Sequence, residues 1–548
     1  MRKKLFSYSI FLIGLWGYHI SAFPQSISTA PQKVYLAPNI AWLSSLKEAA
    51  DVSLADWCRA VSFDCSPEGD TEFYAEWAQS WWWRRDFTYR SIFSPTIVSN
   101  GSIGSYVQWM CPDGGVGGYR NCSNTNNLAT QAKNLGQGSD GCDFSNPMNN
   151  GTNPINTGTG NKFQHEIGDA YFDFGWSYNS QAVLNAIVGR STLGNGWRHS
   201  FDWRLRFDQG VGVYSAAMVG GSGEIYFFNQ FGTGWISDSS SRVRLENDSL
   251  FSGVRFFSSD NFVLIFDGNS RLRQKIGHNG ARIDFHHELD SSQGGDGEVE
   301  TLDQIIDNFG RGINFLYNSD GYVSRVEKTG GELWQYSYGG TGNLVSVIHV
   351  DGEQRTYIYD ETANASGVTG RSLLTGILDE NSQRYSTYKY LSNRRAFSSK
   401  RGAASFDISY LSDGDAVVTD PLGTSRTYSY QIIQGRVKVG GVSQPGGPGC
   451  GAASSAVTYD GNANVASRTD FAGNKTCYGN DLARNLETVR IEGLGAADAC
   501  PATPAGYSPT ATQRRISTEW HPLWRLKVRE AQPKKITTWV YHGQPDPT

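Results

Sequence analysis

Short stretches of alternating apolar and polar residues recur along the chain after about residue 163, and most of them close on Gly, Asn or Asp. Examples are "FDWRLRF", "EIYFF", "FVLIFD" and "RIDFHH". A period of two with turn residues at the ends is typical of β-strands joined by tight hairpins. Helical periodicity is convincing only over residues 40–58. The pattern predicts an all-β protein of antiparallel hairpins, preceded by a small front domain with some helix.

An aromatic-x-Tyr pair recurs through the second half of the chain, with a repeat unit of about 20 residues. Two steps are longer, from Tyr359 to Tyr390 and from Tyr430 to Tyr459, and they indicate insertions. Phe266 and Phe285 fit as earlier, divergent copies. Because one hairpin is barely stable alone, the units must stack edge to edge into a long antiparallel sheet that spirals. The repeat tyrosines are Tyr317, Tyr338, Tyr359, Tyr390, Tyr410, Tyr430, Tyr459 and Tyr478.

Each repeat unit is expected to consist of a strand, a turn and a return strand. Tyr357 and Tyr359 share one face of a strand because side chains alternate. An Asp or Asn after the tyrosine can bond its own backbone in a turn, and Gly342-Asn343 is the expected hairpin turn after Tyr338. The same reasoning assigns several carboxylates to turns rather than to acid-base chemistry, namely Asp320, Asp360, Asp460 and Asp470.

The repeat tyrosines permit two interpretations. They could form an aromatic surface that binds glycans or lines a cavity for another polypeptide. Alternatively, they connect neighbouring hairpins through cross-strand pairs, each contributing about 0.2 to 1 kcal/mol. The period itself requires such pairs, so it favours the second interpretation.

Two phrases, "TYDGNANVASRTDFAGNKTCYGND" (458–481) and "VTDPLGTSRTYSY" (418–430), resemble the YD repeats of the rearrangement-hot-spot (Rhs) and teneurin group. A block at 153–200 resembles that family's amino-terminal module, which we place at 151–255 with repeats over 256–548. Trp176 stands where an Arg is commoner, and we expect this to change packing only. The module signature consists of Tyr178, Asn179, Ser180, Gly194, Gly196, Trp197 and His199.

The resemblance implies that the repeat sheet winds into a hollow β-shell. In polymorphic toxin systems such a shell encloses a toxic carboxy-terminal domain, released by self-cleavage near an Asp-Pro-x-Gly motif. Asp420–Gly423 matches those letters, but repeats follow it, so we expect a turn there. The longer end signature and a toxin domain are not recognised. We therefore expect the front part of a shell, whose partner is a cargo or toxin polypeptide or downstream repeat segments.

Residues 1–22 read as a signal peptide, with a charged start, an apolar stretch over 5–18 and Ala22 at a plausible cleavage site. A membrane anchor is the less favoured alternative, because the stretch is shorter than the ~20 residues that cross a bilayer. No other segment approaches that length. The sequence thus predicts a secreted, periplasmic or cell-surface protein without a membrane span after signal removal.

Eight cysteines suit that compartment. They form an early and a late group of odd size, so either one bridge joins the groups or two thiols stay free. Zinc is disfavoured because no Cys-x-x-Cys pair is present. The possible disulfide cysteines are Cys58, Cys65, Cys111, Cys122, Cys142, Cys450, Cys477 and Cys500.

Residues 23–150 are rich in Trp and Cys and end in a Gly/Asn-rich linker, which predicts a domain boundary near 150. Trp81, Trp82 and Trp83 could stack on sugar rings, but the core of a small disulfide-braced domain is favoured. The fragment Gly158–Lys162 is not a phosphate loop, because Asn161 separates the Gly from the Lys.

Charge and motifs narrow the function further. The net charge is -5 and no Lys/Arg block occurs, so nucleic-acid binding has no electrostatic support. Neither Gly-x-Ser-x-Gly nor His-Glu-x-x-His is present. In "DFHHELD", His286 and Glu288 face one way and His287 the other, so a strand-edge pair is favoured over a metal site. We expect no cofactor and no metal.

The leading hypothesis is a secreted, non-enzymatic YD-repeat shell or scaffold that encloses or displays another polypeptide. The alternative is a surface carbohydrate-binding protein that uses the tryptophans of the front domain and the repeat tyrosines to hold cell-surface glycans. An enzyme with its site in residues 23–150 is a weaker third hypothesis.

Overall fold

A computed structural model describes residues 132–136, 154–183, 185, 187–189, 191–207, 215–289, 300–367, 370–447, 451–541 and 544–545, with the backbone of seven strands between residues 32 and 117. Contacts divide the chain into two compact units, Met1–Thr125 and Asn126–Thr548. The division lies earlier than residue 150 because Ala132 and Leu135 are buried among residues of the second unit.

The first unit contains antiparallel strands in two sheets. The strands are β1 (Gln32–Lys33), β2 (Tyr35–Leu36), β3 (Trp42–Leu43), β4 (Phe63–Trp77), β5 (Ser80–Ser91), β6 (Ser94–Met110) and β7 (Val116–Gly117). The larger sheet has the order β1-β6-β5-β4 with β7 paired to β6, and the smaller pairs β2 with β3. Strand β3 is extended, although the sequence predicts helix there; the rest of the predicted helix, 40–58, lies outside the described residues.

The second unit begins with two small sheets. Their strands are β8 (Phe163–Asp169), β9 (Phe174–Asn179), β10 (Trp197–His199), β11 (Arg204–Arg206), β12 (Ala216–Val219), β13 (Ile225–Phe231) and β14 (Gly234–Ser237). The sheets have the orders β10-β9-β8 and β11-β12-β13-β14. From here on the module means residues 154–207, which hold β8 to β11; this is shorter than the range 151–255 that the sequence predicts.

A single 25-stranded sheet follows, in which each strand pairs antiparallel with its neighbour in sequence. The prediction of an all-β fold made of stacked hairpins is confirmed. A short 3-10 helix lies at Pro504–Gly506. The strands are β15 (Arg244–Asp248), β16 (Gly253–Phe257), β17 (Phe262–Phe266), β18 (Leu272–Gly277), β19 (Arg282–Leu289), β20 (Glu300–Asp307), β21 (Gly312–Tyr317), β22 (Val323–Lys328), β23 (Leu333–Tyr338), β24 (Leu344–Ile348), β25 (Gln354–Tyr359), β26 (Leu374–Leu378), β27 (Arg384–Tyr390), β28 (Ala396–Arg401), β29 (Ala404–Tyr410), β30 (Ala416–Thr419), β31 (Ser425–Ile433), β32 (Arg436–Gln444), β33 (Ala453–Tyr459), β34 (Val465–Thr469), β35 (Asn474–Asp481), β36 (Leu486–Gly495), β37 (Arg514–Trp520), β38 (Lys527–Gln532) and β39 (Lys535–Thr538).

The hydrophobic core lies between the module and one face of this sheet. Trp176, Tyr178 and Trp197 of the module are fully buried and share one cluster with repeat residues from Phe285 to Val442. We call the sheet face that meets the module the inner face. The module therefore supplies the second layer that this part of the sheet needs to bury its apolar side.

The sheet also turns back on itself. Asn485 donates from its side-chain amide to the carbonyls of Ser239 and Ser241, both at 2.8 Å, although Asn485 is 246 and 244 residues away from them in sequence. The backbone N–H of Arg525 donates to the side chain of Asn261 at 2.6 Å. We call these three contacts the seam. Turns near the start of the sheet thus lie beside turns near its end, as the steady twist of a long sheet allows.

Candidate functional site

The repeat tyrosines form a ladder of hydrogen bonds that joins each repeat unit to the one before it. The hydroxyl of Tyr338 donates to the carbonyl of Val323 at 2.7 Å, and Val323 is the residue paired with Tyr317. The same rule holds for Tyr359 and Leu344, which pairs with Tyr338. It also holds for Tyr317 with Leu302, Tyr390 with Leu374, Tyr410 with Ala396, and Tyr459 with Val439.

Tyr430 departs from this rule. Its hydroxyl lies 2.5 Å from the hydroxyl of Thr157, so here a module residue takes the bond that a sheet carbonyl takes elsewhere. The hydroxyls of the bonded tyrosines are therefore used inside the protein. This agrees with cross-strand pairing rather than with an aromatic surface for glycans.

The ladder also shows which residues of successive repeat units are equivalent. A β-bulge precedes the ladder residue in most units, for example between Ser337 and Tyr338. The sequence period places Tyr478 in the series, but the bulge precedes Asn480, whose side chain donates to the carbonyl of Val465 at 3.0 Å. Tyr478 is instead equivalent to Tyr336 and Tyr357, two residues before the ladder position, which explains why an aromatic motif matched there.

Three further ladder positions carry residues that the tyrosine pattern missed. Trp520 donates from its indole to the carbonyl of Glu487 at 2.7 Å, and Tyr541 donates to Lys527 at 2.6 Å. At the other end, the bulge lies between His286 and His287, so His287 and not Phe285 is the divergent copy. A search for any side-chain donor one repeat length from a known unit would have found Asn480, 21 residues after Tyr459, and His287, 21 residues after Phe266.

The turn assignments agree with the geometry. The carboxylate of Asp360 accepts the backbone N–H groups of Arg371, Ser372 and Leu373 at 2.8 to 3.0 Å. Asp460 and Asp470 accept N–H groups two and four residues ahead, and Asn318 does the same for Asp320 and Tyr322. The Asp420–Gly423 motif is also a turn, because Asp420 accepts the N–H groups of Leu422 and Thr424.

The module signature residues lie where the module meets the repeats. The hydroxyl of Tyr178 donates to the carbonyl of Ser372 at 2.8 Å and accepts the N–H of Leu374 at 3.0 Å. The Trp197 indole donates to the hydroxyl of Tyr359 at 2.7 Å. Both signature residues are buried. The signature therefore encodes a docking surface for particular repeat units.

The two glycines of the signature are required by close approach. Gly194 and Gly196 have φ of +84° and +77°. A Cβ on Gly194 would collide with the carbonyl of Gly342, the turn residue to which Asn195 donates its N–H at 3.0 Å. A Cβ on Gly196 would press on the Tyr178 ring. Side chains larger than Gly are excluded at both positions.

Trp176, two residues before the signature begins, also packs against the sheet. Its indole donates to the hydroxyl of Tyr357 at 3.1 Å and meets Tyr336 edge to face, with ring centroids 5.5 Å apart. Asn179 and Ser180 turn away from the sheet and fix loops of the second unit. Asn179 accepts the N–H of Gly136 and donates to the carbonyl of Ser222, and Ser180 accepts the N–H of Lys162.

Both insertions in the repeat period contact residues outside the sheet. The insertion between Tyr359 and Tyr390 carries Ser372, the acceptor for Tyr178. The insertion after Tyr430 extends the β31–β32 hairpin, whose Gly435 and Val437 bond the side chain of Asn134. The interruptions of the period are therefore docking sites.

Charged groups are buried in the same interface. Lys162 directly precedes β8, and Gln164 and Glu166 lie within it. The Lys162 ammonium lies 3.0 Å from Gln164, which donates to Glu166 at 3.0 Å. Burial holds the pKa of Lys162 well below its usual value. Glu166 pairs with Arg355 at 2.7 Å. Removing either partner would leave a buried charge without compensation, so the network favours one docking position.

A second buried group surrounds His199. Its ring stacks on Phe315 with centroids 5.1 Å apart, and its Nδ1 accepts the N–H of Phe201. Burial lowers the pKa of His199 to about 4, so the ring is neutral at physiological pH. Nearby, Arg198 pairs with Asp202 at 3.2 Å.

The inner face changes character along the sheet. The residue two before each ladder position pairs with an apolar residue in several early units, for example Phe315 with Val326 and Tyr357 with Ile377. In the later units the equivalent partners are Arg468, Arg490 and Glu530. The apolar inner face therefore ends near Val442, where the shared core with the module also ends.

The outer face is covered in the later strands. Cys477, Ile491 and Leu494 form a small buried cluster against Tyr507. Cys477 is disulfide-bonded to Cys500, which anchors the segment that carries Tyr507. A pairing within the late group of cysteines is thus present; the other six cysteines lie outside the residues whose side chains are described.

The part of the chain that the structure describes holds neither a cluster of metal ligands nor a membrane-spanning helix. Among its residues, no three His, Cys, Asp or Glu side chains lie close enough to hold a metal ion. His286 and His287 occupy the bulged strand β19, opposite Gln304 and Leu302. No helix in the described part of the chain is long and apolar enough to span a bilayer. Trp81, Trp82 and Trp83 lie in β5, and their glycan-binding role stays a prediction because their side chains are outside the description.

A family model described as a domain of unknown function (DUF6531) matches residues 152–228. This range covers the module and continues into β13. Comparison with curated proteins gives no match.

Solved structures are similar over most of this chain. For TcdB2-TccC3 without its hypervariable C-terminal region, the match covers 90% of this chain and 29% of the other, with 10% identity and a TM-score of 0.32. For TcdB2-TccC3-Cdc42 the corresponding values are 89%, 28%, 10% and 0.25. The chain thus spans less than a third of the proteins it matches. The strand pairing described above establishes its fold.

Proposed function

We propose that the chain is a non-enzymatic, secreted wall or scaffold whose repeat sheet encloses or displays another polypeptide. The seam carries this proposal. An uninterrupted sheet whose early turns bond its late turns through Asn485 and Arg525 is curved, so it has an inside and an outside. A curved wall made of local hairpins is suited to holding a partner rather than to convergent catalysis.

The proposal assigns a role to each face. The module fills the inner face up to Val442, so this part of the sheet has no room for a partner. Beyond it, Arg490 is bonded to Glu487 and Glu492 at 2.9 and 2.8 Å, and its side chain is 26% exposed. A charged, partly hydrated surface can contact another chain without merging with it into one core. We assign the later inner face to the partner polypeptide.

Electron microscopy of the purified mature chain, residues 23–548, tests the wall itself. A curved or hollow single-layer density is expected. A compact globule without a curved sheet would sink the proposal.

Co-expression tests the partner. The polypeptide encoded next to this chain should co-purify and resist added protease, and the Arg468→Glu/Arg490→Glu variant should reduce that protection. The Arg325→Glu variant is the matched control, because Arg325 pairs with Glu327 on the opposite face. Equal protection in both variants would remove the later inner face from consideration.

A further inference from the structure

The segment Ala132–Gly136 contacts three separate parts of the second unit, and we call it the clip. Ala132 and Leu135 are 0% and 4% exposed and lie in one cluster with Val219, Ile225 and Phe227 of β12 and β13. The N–H of Leu135 bonds the carbonyl of Ala132, which forms a single turn that points both side chains into this cluster. The apolar anchors of the clip are therefore three residues apart on one face.

The Lys133 side chain extends to a buried carboxylate. Its ammonium donates to the carboxylate of Asp238 at 2.6 Å and to the carbonyl of Gln434 at 2.7 Å. It also lies 5.8 Å from the centre of the Phe227 ring. The two ionic side chains are 5% and 2% exposed. A buried ammonium needs both charge and hydrogen-bond partners, and Asp238 and Gln434 provide them.

The side chain of Asn134 hydrogen-bonds to the backbone of the β31–β32 hairpin. Its side-chain NH₂ donates to the carbonyl of Gly435 at 2.9 Å, and its side-chain oxygen accepts the N–H of Val437 at 2.8 Å. Arg436, between them, donates to the carbonyl of Lys133 at 3.1 Å. The amide pair resembles one rung of a β-ladder, and it is made to the inserted part of the hairpin.

These contacts have the anatomy of a peptide-recognition site. The four successive residues contact three different environments: Ala132 and Leu135 an apolar cluster, Lys133 a buried carboxylate, and Asn134 a pair of backbone groups. Their partners in β12, β13 and the β31–β32 hairpin are distant in sequence. We propose that the groove formed by Phe227, Asp238 and the Gln434–Val437 hairpin is a peptide-binding site that recognises an Ala-Lys-Asn-Leu segment, with the clip as its resident ligand. This inference is independent of the proposed shell function.

The proposal is tested with the full mature chain and a labelled peptide of residues 130–138, TQAKNLGQG. The Asn134→Ala/Leu135→Ala variant removes the amide pair and one apolar anchor, so it should release the clip. Asn381→Ala/Leu422→Ala is the matched control, because both residues are exposed in turns. Hydrogen exchange of Ala132–Gly136 should become about tenfold faster or more in the first variant only.

Fluorescence anisotropy then reports on the empty groove. The peptide should bind the Asn134→Ala/Leu135→Ala variant saturably, and neither the wild type nor the control, whose own clip occupies the site. A peptide with Glu in place of Lys133 should bind at least about tenfold more weakly, because it meets Asp238 with like charge. The proposal is overturned if the released variant does not bind the peptide, if wild type binds it equally, or if exchange of the clip is unchanged.

Discussion

The earlier strands of the large sheet, β21–β32, and the later ones, β33–β39, share a hairpin repeat but are stabilised on opposite faces. In the earlier strands the inner face is apolar and buried beneath Trp176 and Trp197 of the module. In the later strands that face carries Arg468 and Arg490, and it is the outer face that is covered, by the segment anchored at Cys500. The ladder is common to both regions.

The comparison of the two regions separates two roles within each repeat unit, namely extending the sheet and setting the character of its inner face. The ladder residue and the turn after it extend the sheet, because in most units they bond to the neighbouring units. In the part of the sheet that the module covers some of them also bond the module, as Tyr359 does with Trp197. The residue two positions before the ladder residue and its cross-strand partner determine whether the inner face can pack against an apolar surface. A change from Val or Ile to Arg at that pair converts a docking surface into a hydrated one.

Replacing Trp197 by Ala should have the largest effect. The indole is fully buried and bonds Tyr359, so its removal should cost about 3 to 5 kcal/mol of unfolding free energy. Urea unfolding measures the loss of stability. Hydrogen exchange of the native protein should be faster in β21–β28 and unchanged in β35–β38. The Leu422→Ala control, at a side chain 92% exposed, should change neither. Equal loss in both regions would refute their independence.

Replacing Cys477 and Cys500 by Ser should act on the other region. The bridge spans a sequence separation of 23, for which chain entropy gives about 3 kcal/mol. Exchange should rise in β35–β37 and around Tyr507, while β21–β28 keeps wild-type protection. A uniform rise over the sheet would show that the regions are coupled.

Acid should weaken the module-backed region first. The pKa of His199 is about 4 in the folded chain and near 6.5 when unfolded, so the unfolded chain binds more protons between these values. Its contribution is complete above about pH 6.5 and is lost as the pH falls towards 4, by up to about 3 kcal/mol. The pH dependence of unfolding should flatten in His199→Gln and persist in the His286→Gln control. A slope that is unchanged in His199→Gln would contradict this assignment.

Removing one ladder hydroxyl should give the smallest effect. Tyr338→Phe deletes the bond to Val323 and should cost about 1 kcal/mol. Tyr478→Phe, which lies off the ladder, should cost less than half of that. Thermal unfolding of the two variants side by side measures the difference, and equal losses would mean that the ladder contributes no stability of its own.

The sequence was sufficient for the hairpin repeat and its turns, because both follow from local chemistry. Asp460 and Asp470 accept N–H groups two and four residues ahead, which a motif can reveal. The phase of the last units was not predictable from tyrosines alone, because Asn480 and Trp520 supply the same donor with other side chains.

The docking of the module was predictable only as a signature. The contact of Trp197 with Tyr359 joins residues 162 apart, and no local pattern specifies which repeat unit a module will meet. The same holds for the buried Lys162 and Glu166 network. Their burial arises only when two distant surfaces close, whereas the sequence shows simply a charged strand.

The most direct test of the account is a photo-cross-link across the seam. A benzophenone amino acid at His278, whose ring lies 6.4 Å from that of Trp524, should cross-link to the segment around Trp524 and Arg525 in the full-length monomer. The same label at the exposed turn residue Asn381 should not. A curved wall predicts this intramolecular product, identified by mass spectrometry. Its absence, with the chain folded, would contradict the closure of the sheet on itself.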